Sequence, residues 1–201
     1  MTIVWHLASG RHAPLTGEGA RLVGGRWNSA GRPLVYASES LALCLAECLV
    51  HITGPLPRDY VAFQLAVPED GIETLNATVL KADWRADLGY TRAIGDQWLA
   101  QERSLVLAVP SAVLPESTNM LLNPLHPGAG EVQIVDRQPF RFDPRLRPDR
   151  PRSGGTRRSA GQSRSEPHAH RGGGHHHGAG PRAGATPGDG SKRDTPDLMR
   201  L

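Results

Sequence analysis

The sequence predicts an α+β domain over residues 1–147 followed by a tail that lacks the means to build a core. Three observations lead there: short β-like runs bounded by turn residues, two or three helical stretches at no regular βαβ spacing, and an abrupt change of composition at Pro148. No internal repeat recurs.

Thr2 to Leu7 reads as a first strand, and Gly10 to Gly25 as a loop rich in Gly, Arg and Ala. Arg26 opens a short strand or extended segment, Ala30-Gly31-Arg32-Pro33 supplies turn chemistry, and Leu34 to Ala37 is β-like again. Ser38 or Ser40 then caps a helix that ends near His51, ahead of Gly54-Pro55. Tyr60 to Val67 alternates as a strand, with Val61, Phe63 and Leu65 on one side and Ala62, Gln64 and Ala66 on the other. Ala93 to Glu102 is a short helix carrying Trp98 and Leu99, and Ser104 to Val109 is a strand stopped by Pro110. Asn119 to Leu122 and Val132 to Val135 complete the strands, and Arg141-Phe142-Asp143-Pro144 closes the domain.

Residues 148–201 hold no aromatic side chain and 11 of the 23 glycines, so they bury too little apolar surface to offset their ordering entropy and are expected to be disordered. The same Gly/Arg/Pro/His-rich tail carries ten Lys/Arg against five Asp/Glu, leaving thirteen against fifteen in the first 147 residues. The net charge of +3 therefore belongs to the tail, and it gives no reason to expect a specific nucleic-acid-binding fold. We read the tail as an unselected extension; its His175-His176-His177 triplet lies among glycines that leave it unorganised as a metal site. Cys44 and Cys48, four apart on one helix face, are expected to pack as small apolar residues in a reducing compartment. The chain shows no signal-peptide pattern and no run of 18 apolar residues, so the expectation is a cytoplasmic, soluble protein with no membrane partner and no metal.

Chemistry enters at Glu47, a single charge inside the apolar helical run Leu41-Ala42-Leu43-Cys44-Leu45-Ala46-Glu47-Cys48-Leu49-Val50. Taking a carboxylate out of water costs several kcal/mol unless something offsets it, which marks the residue as a candidate for function. Upstream, Gly24-Gly25-Arg26-Trp27-Asn28 and Leu34-Val35-Tyr36-Ala37-Ser38 place an arginine and a tyrosine at spacings of 10 and 11 residues from one another and from Glu47. A buried carboxylate needs a partner to stay ionised, and Arg26 is the natural cationic neighbour.

Taken in order, Gly-Gly-Arg-Trp-Asn-Ser-Ala-Gly-Arg-Pro, Val-Tyr-Ala-Ser with its Leu-Ala-x-x-Leu-Ala-Glu helix, Ile94-Gly95-Asp96-Gln97-Trp98-Leu99, Val109-Pro110-Ser111, Leu121-Leu122-Asn123-Pro124-Leu125-His126-Pro127 and Phe140-Arg141-Phe142-Asp143-Pro144-Arg145-Leu146 resemble the RES domain family over about residues 3 to 147. The resemblance implies a bacterial toxin of a toxin–antitoxin pair with an ADP-ribosyltransferase-like fold. It implies further that the toxin degrades NAD+, as a glycohydrolase or phosphorylase using water or inorganic phosphate, and is held inactive by an antitoxin with an Xre-like DNA-binding region. NAD+ is then the substrate and no separate cofactor is expected; a homodimer is compatible with the apolar surface positions.

Carried over residue by residue, Arg26 matches the arginine of the family's Gly-Arg-Trp motif, Tyr36 its tyrosine, Glu47 its glutamate, and Ser104 the serine at the start of the strand before Val-Pro-Ser; Ser111 lies on the same stretch. The first strand departs from the pattern, with Trp5-His6 where relatives usually carry Trp-Arg. The roles that follow are pyrophosphate pairing for Arg26, stacking on nicotinamide for Tyr36, and stabilisation of an oxocarbenium-like ribose for Glu47. Ser104 is expected to hold a ribose hydroxyl or the nicotinamide amide, and His6 the adenosine ribose. Two other readings stand beside this one: a protein ADP-ribosyltransferase, and a catalytically weak module that binds the antitoxin and tunes its operon.

Overall fold

The computed structural model describes residues 1–11 and 13–146; the expected tail at 148–201, with its histidine triplet, lies outside the described residues. Seven strands form one sheet: β1 (Thr2–Ser9), β2 (Val35–Ser38), β3 (Tyr60–Val67), β4 (Ile72–Thr74), β5 (Val106–Pro110), β6 (Thr118–Leu122) and β7 (Gln133–Phe140). Their order is β4-β5-β6-β2-β1-β3-β7, antiparallel throughout except for the short β4, which runs parallel to β5. The helices are α1 (Glu18–Val23), α2 (Leu41–His51) and α3 (Leu88–Gln101). This is the α+β class read from the sequence.

Alternation along each strand sorts the core into two layers. Trp5 and Leu7 of β1 and Ala62 of β3 pack with Cys44, Cys48 and Ile52 beneath α2. On the same face, Tyr36 of β2, Leu107 and Val109 of β5 and Leu121 of β6 pack with Trp98 and Leu99 of α3. Val4, Val35, Ala37, Phe63, Leu65, Val67, Val106 and Leu122 turn to the other face, where Leu15, Ala129 and Val132 cover them. The alternation expected for β3 therefore holds, with both of its faces buried.

Several boundaries moved, each for a physical reason. The loop expected at Gly10–Gly25 contains α1, a turn and a half opened by Gly17 at φ 65°, in the left-handed region, and laced by a Glu18–Arg21 ion pair. Its hold is tertiary: buried Ala20 packs with Trp27 and Leu34. Arg26 begins no strand; the segment from Gly24 to Leu34 is irregular and is held by side-chain hydrogen bonds. Ser40, not Ser38, caps α2 by accepting from the Leu43 N–H at 3.2 Å. Helix α3 starts five residues before the expected Ala93, because Asp87 caps it through the Tyr90 N–H at 2.9 Å and outweighs the weak helix formers Gly89 and Thr91. Strand β5 begins only at Val106, leaving Ser104 outside it. Strand β7 runs on to Phe140 and takes Pro139 because its outer edge has no partner strand among the described residues.

Candidate active site

Glu47 projects from the middle of α2 between the two helix-covered clusters and is 5% exposed. Its Oε1 accepts two hydrogen bonds, one from Ser111 Oγ at the end of β5 and one from Asn119 Nδ2 in β6, both at 2.6 Å. Ser111 is itself fixed, since its Oγ also accepts from the N–H groups of Val113 (3.1 Å) and Leu114 (2.9 Å). Asn119 is oriented by Ser38 Oγ, which donates to its Oδ1 at 2.7 Å. Neutral donors thus meet the carboxylate where the sequence suggested a cation. Arg26 forms no ion pair with Glu47 within 4 Å, although its charge is opposed across the site by the Glu47 carboxylate.

Arg26 rides on the irregular Gly24–Leu34 segment, which hydrogen bonds from β2, α3 and Asn28 hold in place. Tyr36 reaches up from β2, its hydroxyl accepting from the Trp27 N–H at 2.9 Å and donating to Asn28 Oδ1 at 2.8 Å. Asn28 Nδ2 in turn donates to the carbonyls of Ala20 and Arg32. From α3, Thr91 Oγ1 donates to the Arg26 carbonyl at 2.8 Å and Arg92 Nε to the Gly25 carbonyl at 2.7 Å. Helix and segment approach so closely that a Cβ on Gly95 would lie 1.8 Å from the Trp27 carbonyl oxygen. Burial pushes the Tyr36 phenol well above its ordinary range, keeping it a neutral donor, and pulls the half-buried Arg26 guanidinium down. Arg26 Nη1 donates to the Arg85 carbonyl at 2.9 Å, which leaves the rest of its fork available for an anion.

His6 meets this site through Tyr36: its Nδ1 stands 2.7 Å from the Tyr36 carbonyl, an acceptor only, so Nδ1 carries the proton and Nε2 is the open acceptor. Burial lowers the His6 pKa and keeps the ring neutral, stacked on Phe63 at 5.9 Å. The ring lines a small cavity of about 70 Å³, walled by Ala8, Leu15, Leu34, Val35 and Tyr60. Ser104 stands apart, accepting from Trp98 Nε1 at 2.8 Å and donating to the Val106 carbonyl at 3.1 Å, at the far end of β5 from Ser111. The structure thus sets Tyr36 against the Arg26 segment, places the Glu47 carboxylate within electrostatic reach of Arg26, bonds His6 to the Tyr36 main-chain carbonyl, and separates Ser104.

Sequence reasoning missed Asn119 and Arg92. Asn119 carried a faint signal as a polar residue opening an apolar strand, whereas Arg92 had none, because the start of α3 was itself misplaced. No group of three metal-ligating side chains occurs among the described residues. Nor is any described helix long and apolar enough to cross a membrane.

The RES domain model matches residues 3–143, and the chain belongs to the RES domain family. A Prs ADP-ribosylating toxin of Sphingobium sp. is 34% identical over 155 residues, covering 72% of this chain and 96% of the relative. A Toxin Res of Photorhabdus laumondii is 37% identical over 135 residues, covering 65% and 86% respectively. Among solved structures, the Mycobacterium tuberculosis MbcT–MbcA toxin–antitoxin complex contains a chain of similar fold, with TM-score 0.59 and 19% identity over 69% of this chain and 84% of that one.

Proposed function

We propose that this RES-domain protein is the toxin of a toxin–antitoxin pair and that it destroys NAD+ by cleaving the nicotinamide–ribose bond. The observation that carries the reading is the immobilised Glu47 carboxylate, held by Ser111 and Asn119 through one oxygen and facing the half-buried Arg26. Cleavage passes through an oxocarbenium-like ribose, and a carboxylate fixed beforehand stabilises the developing cation without having to reorganise. In this reading Glu47 Oε2 accepts from a ribose hydroxyl, Arg26 pairs with the pyrophosphate, and the Tyr36 ring lies against the nicotinamide. His6 Nε2 accepts from the adenosine ribose in its cavity. Water or inorganic phosphate takes the ADP-ribose.

A second acceptor has a specific basis, since the Sphingobium relative is named for ADP-ribosylating Prs: here the acceptor would be a protein side chain. An antitoxin partner accords with the toxin–antitoxin complex found for the similar fold, and in this reading that partner is of the Xre-like type. The test is NAD+ consumption by the purified full chain, with and without phosphate and with added cell extract, all products identified by mass. Expected are free nicotinamide and ADP-ribose or its phosphorylated form, with Glu47→Gln slowing the reaction by about 100- to 1000-fold. Label appearing on protein alone selects the second acceptor. A folded wild-type protein that leaves NAD+ intact under every condition overturns the reading.

A further inference from the structure

We propose that Arg92 of α3 is a second anion-binding residue of this site, forming with Arg26 a two-guanidinium clamp for a diphosphate. The inference rests on the reading above that the substrate is NAD+, and it names the groups that would hold the two phosphates.

The argument starts from charge pairing. Arg11, Arg21, Arg32, Arg103, Arg145 and Lys81 each meet a carboxylate within 4 Å. Of the remaining described arginines, Arg58, Arg85, Arg137 and Arg141 are exposed to water, where an unpaired cation costs little. Only Arg26 and Arg92 are both partly buried and without an ion pair among the described residues. A cation drawn partly out of water with no carboxylate in contact is stabilised when an anion arrives, and these two share the same neighbourhood. Arg92 Nε bonds the carbonyl of Gly25, the residue before Arg26, and the charges of both arginines act on the same Tyr36 phenol.

Each guanidinium spends one donor on a main-chain carbonyl and keeps its others. Arg92 spends Nε on Gly25, while its Nη1 and Nη2 have no hydrogen-bond partner among the described residues. Asp96, one helical turn on, is the obvious local counter-charge, yet its Oδ1 accepts from the Ser29 N–H at 2.9 Å and sits 3.5 Å from Arg32 Nε. Thr91 and Gly95 bind α3 to the Arg26 segment, so the two backbones that carry the arginines are held against each other. The diphosphate of a dinucleotide carries one charge on each phosphate, and each guanidinium offers a planar pair of donors to one of them. A monophosphate seated on one fork leaves the other phosphate position empty.

Binding of ADP and of AMP to the full chain, measured by calorimetry at low salt, tests the clamp independently of turnover. Wild type should bind ADP more tightly than AMP, and Arg92→Gln should weaken ADP by about 10- to 100-fold while weakening AMP less. In NAD+ kinetics the same change should raise KM more than it lowers kcat. Arg92→Lys, which keeps the charge and a donor for Gly25 but loses the fork, should fall between the two, and it carries the test if the glutamine variant does not fold. Arg103→Gln, which removes an ion-paired arginine elsewhere, should leave ADP binding unchanged.

Unaltered ADP affinity in a folded Arg92 variant, equal losses for AMP and ADP, or a wild type that binds no ADP each overturns the clamp. Arg92-dependent ADP binding by a protein that consumes no NAD+ would keep the clamp and remove the substrate assignment. NAD+ turnover with an unchanged KM in Arg92→Gln would do the reverse.

Discussion

Ser104 and Ser111 sit at opposite ends of β5 and hold different partners, so they separate two kinds of contribution. Ser111→Ala removes a 2.6 Å donor from a buried carboxylate and is expected to lower NAD+ turnover by about 10- to 100-fold. Ser104→Ala strips the Trp98 indole N–H of its acceptor and should cost about 1–3 kcal/mol of stability while leaving KM for NAD+ where it was. Thermal melts and steady-state kinetics on both variants read the difference, and a raised KM in Ser104→Ala would restore that serine to the site. His6 has a pH signature of its own. Burial holds its folded pKa below the unfolded value near 6.5, so below that pH the unfolded chain takes up a proton that the folded chain refuses. Stability is complete above the unfolded pKa and falls as pH drops below it, by up to about 1.4 kcal/mol per pH unit for this group. His6→Gln, which retains a donor for the Tyr36 carbonyl, should flatten the slope seen in urea unfolding between about pH 7.5 and 5.5. An unchanged slope would assign the effect to other histidines.

The element that decides the site is the irregular segment between α1 and β2, clamped against α3. A carbonyl oxygen occupies the space a Gly95 side chain would need, so Gly95→Ala must push helix and segment apart. We expect a loss of about 3 kcal/mol, lowering Tm by roughly 10 °C, together with weaker substrate binding, because Arg26 and Arg92 then lose their common support. A melt within about 2 °C of wild type would show that α3 can slide at little cost. Helix α2 was legible because its cap, apolar run and Gly-Pro stop agree with one another. Helix α1 was not, since six residues rich in helix-neutral types give no periodic signal and their order comes from Ala20 packing beneath Trp27. The early start of α3 was hidden by Gly89 and Thr91, and the late part of β7 by Pro139, which only an edge position tolerates.

At the scale of the molecule, α2 and α3 cover one face of a single sheet, the polar side chains Glu47, Ser111 and Asn119 lie between their two apolar clusters, and Tyr36 belongs to the cluster under α3. Each helix meets the sheet through its own cluster, while the carboxylate comes from α2 and both unpaired arginines come from α3 and the segment it holds. The α+β class, most strand positions, the buried helix with its one charge, and the family with its Arg26, Tyr36 and Glu47 were all determined by sequence alone, because periodicity, capping and motif order are local properties of the chain. Which groups meet was decided by tertiary structure. Glu47 takes its hydrogen bonds from residues 64 and 72 positions away, and it does so because strand order places the end of β5 and the start of β6 beside α2. No spacing rule encodes such a neighbour, so the contacts of Asn119 and Arg92, and the fact that Ser111 and not Ser104 bonds Glu47, became legible only once the sheet had closed.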